Sequence, residues 1–193
     1  MYQKYQTDTI VLGSREIGEA DKIFSLFTRD FGLVRARASA VRSEKSKMRN
    51  ALQNYSQTNV SLVRGKQGWR LAGARAGQGF GGTVAPKAIS AMARIAELTL
   101  RLVGHDERND YLYETLAGAH VALLSGGKVE TIEILCVARI LYSLGYLSVE
   151  ALETILFTHA DYGTSHETEA EKLRDTLLSS INHALTETQL INR

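Results

Sequence analysis

Leu33-Val34-Arg35-Ala36-Arg37-Ala38-Ser39-Ala40-Val41 sets Val34, Ala36, Ala38 and Ala40 at even positions and Arg35, Arg37 and Ser39 at odd ones. Successive side chains of a strand point to opposite faces, so this run reads as a β-strand with one face in a core and two arginines on the other. Asp30-Phe31-Gly32 just before it reads as a reversal after the run Ile23 to Phe27. Farther out, Thr9 to Leu12, Val60 to Val63 and Trp69 to Ala74 are short runs of the same kind, the last two separated by the turn signal Gly65-Lys66-Gln67-Gly68. Five strands are therefore expected before residue 80.

Beyond Pro86 the apolar period changes from two to that of a helix. Ile89, Met92, Ala93, Ala96 and Val103 form one stripe, and Leu112, Leu116, Ala119 and Leu123 a second. Ile132, Leu135, Cys136, Ile140 and Leu144 form a third, and Leu173, Leu177, Ile181 and Leu185 a fourth. A shorter helical signal runs from Val149 to Phe157, and the polar stretch Asp161 to Glu171 reads as a loop. The single proline and the cluster Gly77, Gly79, Gly81 and Gly82 separate the two regimes. The expected class is α+β: a five-stranded β domain over residues 1–78, a Gly-rich linker over 79–86 and an all-α helical domain over 87–193.

Charge divides along the same line. Residues 29–75 hold eleven Lys or Arg against Asp30 and Glu44, so the segment is +9 in a chain whose total is +2. A concentrated positive field is the footprint of a protein that holds a polyanion, because basic side chains displace the counterions that phosphates condense. Arg35 and Arg37 share the exposed face of their strand. The polar loop that follows carries Arg42, Lys45, Lys47 and Arg49, and Arg64, Lys66 and Arg70 gather around the second reversal. A barrel that brings these segments together would line a groove with cations. Among the aromatics, Tyr5, Phe31 and Trp69 read as core, Trp69 alternating with Leu71, whereas Tyr55 beside the basic loop is the candidate for stacking on a base.

Other classes find less support. No apolar run approaches the length of a bilayer span, and Lys4, Asp8, Arg15, Glu16, Glu19 and Asp21 interrupt any secretory signal, so a cytoplasmic protein without membrane partners is expected. The one cysteine, Cys136, lies in an apolar run and reads as a small buried residue; alone it forms neither an internal disulfide nor a four-thiolate zinc site. Gly77-Gln-Gly79-Phe-Gly-Gly82 fits G-x-G-x-x-G, with Glu97 where a dinucleotide fold places its acid. That acid falls inside a helical stripe, however, and no βαβ unit surrounds the glycines, so a linker is expected. His159, Asp161 and His166 lack a third ligand at a helical or hairpin spacing. No nucleophile elbow and no motif-placed carboxylate pair is present, and the reading is of a protein that is not an enzyme, with no metal and no cofactor.

The stretch Thr9-Ile-Val-Leu-Gly-Ser-Arg-Glu-Ile-Gly-Glu-Ala-Asp-Lys-Ile-Phe-Ser-Leu-Phe-Thr-Arg-Asp-Phe-Gly-Leu-Val-Arg35, with Lys45-Ser-Lys-Met-Arg-Asn-Ala-Leu-Gln53 and Val60-Ser-Leu-Val-Arg-Gly-Lys66, resembles the N-terminal domain of RecO, a bacterial recombination mediator. Ile140-Leu-Tyr-Ser-Leu-Gly-Tyr146 is similar to a helix of that family's second domain. The resemblance implies an oligonucleotide-binding (OB) fold, a helical C-terminal domain and binding to single- and double-stranded DNA. It also implies strand annealing and help in recombinase loading, with RecR and the tail of the single-stranded-DNA-binding protein as partners, in the cytoplasm with the nucleoid. By the same resemblance DNA contact is expected at Arg35, Arg37, Arg42, Lys45, Lys47 and Arg49, and at Arg64, Lys66 and Arg70. Many relatives carry a four-cysteine zinc module after the Leu-Gly-Tyr turn; here Ser148-Val-Glu-Ala-Leu-Glu follows, and no zinc is expected. The helical domain is expected to be trimmed relative to the family. An RNA-binding barrel, or a scaffold whose basic half meets an acidic protein, would share the charge pattern.

Overall fold

A computed structural model of the protein describes residues 3–80, 84–148 and 155–188. The five expected strands form, most of them longer than their apolar runs: β1 (Lys4–Ile17), β2 (Asp21–Thr28), β3 (Gly32–Ala38), β4 (Gln57–Gly65) and β5 (Gly68–Gln78). They close in the order β1-β2-β3-β5-β4, antiparallel except where β3 meets β5. This is the five-stranded barrel of an OB fold. Val34, Ala36 and Ala38 are buried while Arg35 and Arg37 are exposed, as the alternation demands. Phe24, Leu26, Val60, Leu62 and Leu71 meet them in the barrel interior.

β3 is shorter than expected. Its end is set by Ala40, whose left-handed backbone (φ 52°) turns the chain away, and whose N–H donates to Asp21 Oδ1 at 2.8 Å. Val41 is therefore buried in the loop over residues 39–56, not in the strand. That loop is tied down by Arg42 N–H to the Ala20 carbonyl (3.0 Å) and Tyr55 N–H to the Val11 carbonyl (2.7 Å), and it buries Ala51 and Leu52.

The chain divides into two units, Met1–Thr83 with Leu100–Tyr113, and Val84–Thr99 with Glu114–Arg193. In the first, residues 104–109 pack on the β2–β3 turn. Asp106 N–H donates to the Leu33 carbonyl at 3.0 Å, and Gly32 (φ 61°) lies so near Glu107 that a Cβ there would stand 1.9 Å from its carbonyl oxygen.

The helices are α1 (Pro86–Leu102), α2 (Asp110–Leu124), α3 (Val129–Ser143), α4 (Ile155–Thr158), α5 (Thr164–Lys172) and α6 (Arg174–Glu187). The stripes expected on α2, α3 and α6 are there, whereas on α1 the buried line runs through Ala88, Ala91, Met92, Ile95, Ala96 and Thr99, leaving Ile89 and Ala93 half-buried at its margin and Val103 past the helix end. Part of the signal from Val149 to Phe157 falls on residues 149–154, outside the described residues; Leu156 and Phe157 are buried. The loop expected over Asp161 to Glu171 is corrected: from Thr164 the chain is helical. With only Ala170 buried, this helix has no apolar stripe to read, and polar contacts hold it instead. Glu171 takes Lys128 Nζ at 2.7 Å and Lys172 pairs with Glu169 at 2.9 Å.

In the second unit α3 packs against α4, α5 and α6. It ends at Gly145 (φ 77°) in a Schellman turn, Tyr146 N–H reaching the Leu141 carbonyl (2.8 Å) and Gly145 N–H that of Tyr142 (3.0 Å). The Leu-Gly-Tyr sequence thus has a backbone reason. Arg139 on α3 is fully buried, giving Nε to the Leu156 carbonyl (2.7 Å) and Nη1 to that of Asp161 (2.8 Å), with its guanidinium 4.7 Å from the centre of the Tyr162 ring. Cys136 is buried as expected, and burial pushes its thiol up to about 12. Among the described residues no helix is long and apolar enough to cross a membrane.

Candidate nucleic-acid interface

Residues paired across neighbouring strands point to the same side of a sheet. Arg37 of β3 pairs with Arg70 of β5, Arg70 with Val63 of β4, and Val63 with Lys4 of β1. On the other side Arg37 pairs with Ile23 of β2 and Ile23 with Arg15 of β1. One circuit of the barrel thus returns to β1 at Arg15 instead of Lys4, the stagger that tilted strands require. Along this oblique row Lys4, Arg70, Arg37 and Arg15 are exposed on the outer surface. Arg35 stands on the same face two residues along β3, about 6.5 Å farther by strand rise. It pairs with Ser25, which pairs with Gly13. Gly13, Ser14, Ile23 and Ser25, with Leu100, line a trough of about 510 Å³ there, flanked by Arg15 and Arg35.

The expected cations fall into three groups. Arg35, Arg37 and Arg70 lie on the outer face just described. Arg42, Lys45, Lys47 and Arg49 are exposed on the loop over the end of the barrel, where Arg42 and Arg49 line a second cavity of about 300 Å³. Arg64 is held elsewhere: its guanidinium lies 5.2 Å from the centre of the Trp69 ring and 3.7 Å from Asp106 Oδ2, beside the cluster of Tyr5, Phe31 and Trp69. Trp69 is buried and its Nε1–H donates to Asp106 Oδ1 at 3.0 Å. Lys66 is exposed at the β4–β5 tip. Tyr55 is half-buried with a left-handed backbone (φ 67°) and lines neither cavity.

Acids from outside the basic segment temper its charge. Asp21 Oδ2 accepts Arg37 Nε at 2.9 Å and Nη2 at 2.6 Å, and Glu16 lies 3.2 Å from Arg42 and 3.8 Å from Lys22. Hydrogen bonds from the Ala40 N–H and from Arg37 hold the Asp21 carboxyl below its ordinary range. Exposed pairs of this kind are weak, so a phosphate can compete for the arginines. Arg15 and Lys4 escaped sequence reasoning. Ile10, Val11 and Leu12 are all buried, which hides the alternation, and the bulge between Val11 and Gly13 shifts it, so that Arg15, at the same parity as the core residue Val11, stands on the outer face.

The Gly-rich motif has a structural account for its first member: a Cβ at Gly77 would lie 2.0 Å from the Gln57 carbonyl oxygen, so β4 and β5 approach only over glycine. Gly81 and Gly82 lie outside the described residues. Glu97 is exposed within α1.

Residues 1–76 match the family model described as "Recombination protein O N terminal". Two proteins of Dehalococcoides mccartyi strains, each named DNA repair protein RecO, are 33% identical over 113 residues and 32% identical over 143 residues. These alignments take in 58% and 74% of this chain and 45% and 56% of the relatives. A protein of the same name from Pelotomaculum thermopropionicum is 30% identical over 151 residues, 75% of this chain and 57% of that protein. The chain spans about half the length of the curated relatives it matches. With the closed barrel carrying the family match and the similarity running on into the helices, the chain belongs to the RecO family.

Proposed function

We propose that the chain acts in DNA repair as a non-catalytic DNA-binding protein, holding the sugar-phosphate backbone on the outer face of its barrel. The observation that carries this reading is the register that sets Arg37 beside Arg70, with Arg35 and Arg15 on the same surface beside a trough. Cations spaced along an open face neutralise phosphates without reading bases, which suits a protein that meets any sequence. Arg42, Lys45, Lys47 and Arg49 extend the field over the barrel end, and Arg64 and Lys66 contribute at its far rim. Membership of the RecO family supports the finer role: annealing complementary strands and assisting recombinase loading on single-stranded DNA, with RecR and the tail of the single-stranded-DNA-binding protein as partners. Base pairing supplies the driving free energy of annealing, so screening the phosphates is the protein's contribution.

Affinity for single-stranded DNA should fall with salt at a log–log slope of about −3 to −5, as expected when roughly five to seven phosphates are neutralised. Replacing Arg35, Arg37 and Arg70 together by alanine should weaken binding at least about tenfold, equally for unrelated base sequences. A flat salt response, or unchanged affinity in the triple variant, overturns the reading. Stronger competition by RNA than by DNA of equal length would redirect it to RNA.

A further inference from the structure

The cavity at the barrel end has a character that the outer face lacks. Its floor is apolar: Phe24, Val41 and Leu52 are each at most 5% exposed. Its rim is cationic, formed by Lys22, Arg42 and Arg49. The one acid that lines it, Glu16, is spanned between Lys22 and Arg42 in exposed contacts that a phosphate can displace. Barrel mouths are recurrent ligand sites, and about 300 Å³ is enough for one small ring system. The mouth is also continuous with the outer row. Ile23 of that row is followed on β2 by Phe24 and preceded by Lys22, which point into the mouth, and Asp21 bonds both Arg37 on the face and Ala40 at the start of the loop.

Resting on the DNA-binding reading above, we propose that this mouth receives one unpaired nucleotide of the bound strand, its base on Phe24, Val41 and Leu52 and its phosphate on Arg42 and Arg49. A paired base presents neither its face nor its edge to such a recess and would first have to leave the stack, at a cost that an already unpaired strand avoids. The mouth therefore gives single-strand preference to a phosphate track that by itself has none.

The test compares, on the full chain, a mixed-sequence single strand of about twelve nucleotides with an abasic phosphodiester chain of equal length, so that both carry the same phosphates. The natural strand should bind about tenfold tighter, the gain expected from seating one base. In a Glu16→Cys variant the introduced thiol, at the exposed rim of the mouth, can be labelled selectively with a bulky maleimide, because Cys136 is fully buried. Labelled and unlabelled forms both lack Glu16, which the proposal gives no part of the nucleotide to hold, and both keep Arg42 and Arg49. The base-dependent gain, read as the ratio of the two affinities within each form, should survive in the unlabelled form and vanish on labelling. Equal affinity of the two ligands for the unmodified protein, both salt-sensitive, overturns the mouth and leaves the phosphate track standing. A gain that persists after labelling places the base elsewhere and likewise overturns the mouth. If neither ligand binds, the DNA-binding reading itself falls.

Discussion

Asp21 holds together two things the candidate interface needs. Its Oδ1 accepts the Ala40 N–H that turns the chain out of β3, and its Oδ2 carries the Arg37 guanidinium. Asp21→Asn keeps an acceptor for Ala40 but removes the charge that competes with phosphate for Arg37. Single-stranded DNA affinity should rise a few-fold in this variant, and the salt slope should steepen by nearly one further neutralised phosphate; equal or weaker binding in a titration over a range of salt would remove Arg37 from the interface. The carboxyl is held below its ordinary value of 3.8, first by the Ala40 hydrogen bond and then by Arg37. A lowered folded pKa stabilises the native form fully above the unfolded value, and that contribution is lost as pH falls below 3.8 through the folded value. The protection factor of the Ala40 amide, its exchange relative to the intrinsic rate at each pH, should fall in that acidic window and hold near neutrality. None of this was legible in the sequence, where Asp21 is one acid among several before the basic segment.

At the scale of elements, the β2–β3 turn shows how a local signal acquires a tertiary role. Asp30-Phe31-Gly32 is recognisable as a reversal, and Gly32 does take a left-handed φ. Its second constraint, the approach of the Glu107 backbone, has no trace in the local sequence. Gly32→Ala should cost about 1–2 kcal/mol for the backbone alone, and more for the clash with residues 104–109. Gly68→Ala, at φ 95° with nothing within 4 Å of the new Cβ, pays only the first cost. Thermal unfolding should place Gly32→Ala below Gly68→Ala by at least about 5 °C; identical midpoints would mean that the 104–109 segment is not docked on the turn. Helix α5 teaches the converse. Its nine residues bury one alanine, so periodicity is silent, and the pairs to Lys128 and within the helix that sustain it are set by neighbours far along the chain or by polar residues that suit loops equally well.

For the whole molecule, the single thiol reports on the helical unit. Cys136 is buried and its thiol is pushed up to about 12, so it should resist thiol reagents at neutral pH until that unit opens. Arg139 bridges α3 to the carbonyls of Leu156 and Asp161, and Arg139→Leu leaves both without their charged donor. A loss of about 3 kcal/mol is expected, which speeds Cys136 labelling roughly a hundredfold; an unchanged labelling rate would show that the clamp contributes nothing to closure. Arg139 falls on the third stripe, three residues after Cys136 and four after Leu135, so helical periodicity turns it inward while its charge argues for solvent; only the carbonyls of Leu156 and Asp161 resolve the conflict.

Taken alone, the sequence determined that β-strands come first and helices follow, that Arg35 and Arg37 share one exposed face, and that the basic residues are concentrated before residue 76. It also carried the resemblance to RecO. These are properties of neighbours along the chain, because strand alternation and helical stripes repeat within a few residues. Only the tertiary structure decided that Arg37 meets Arg70, that Arg15 joins their row, that Arg64 belongs to Trp69 and Asp106, and that Glu16 and Asp21 offset part of the charge. Strand order, stagger and bulge are set by pairing between distant segments, and one residue of slip turns every side chain to the other face.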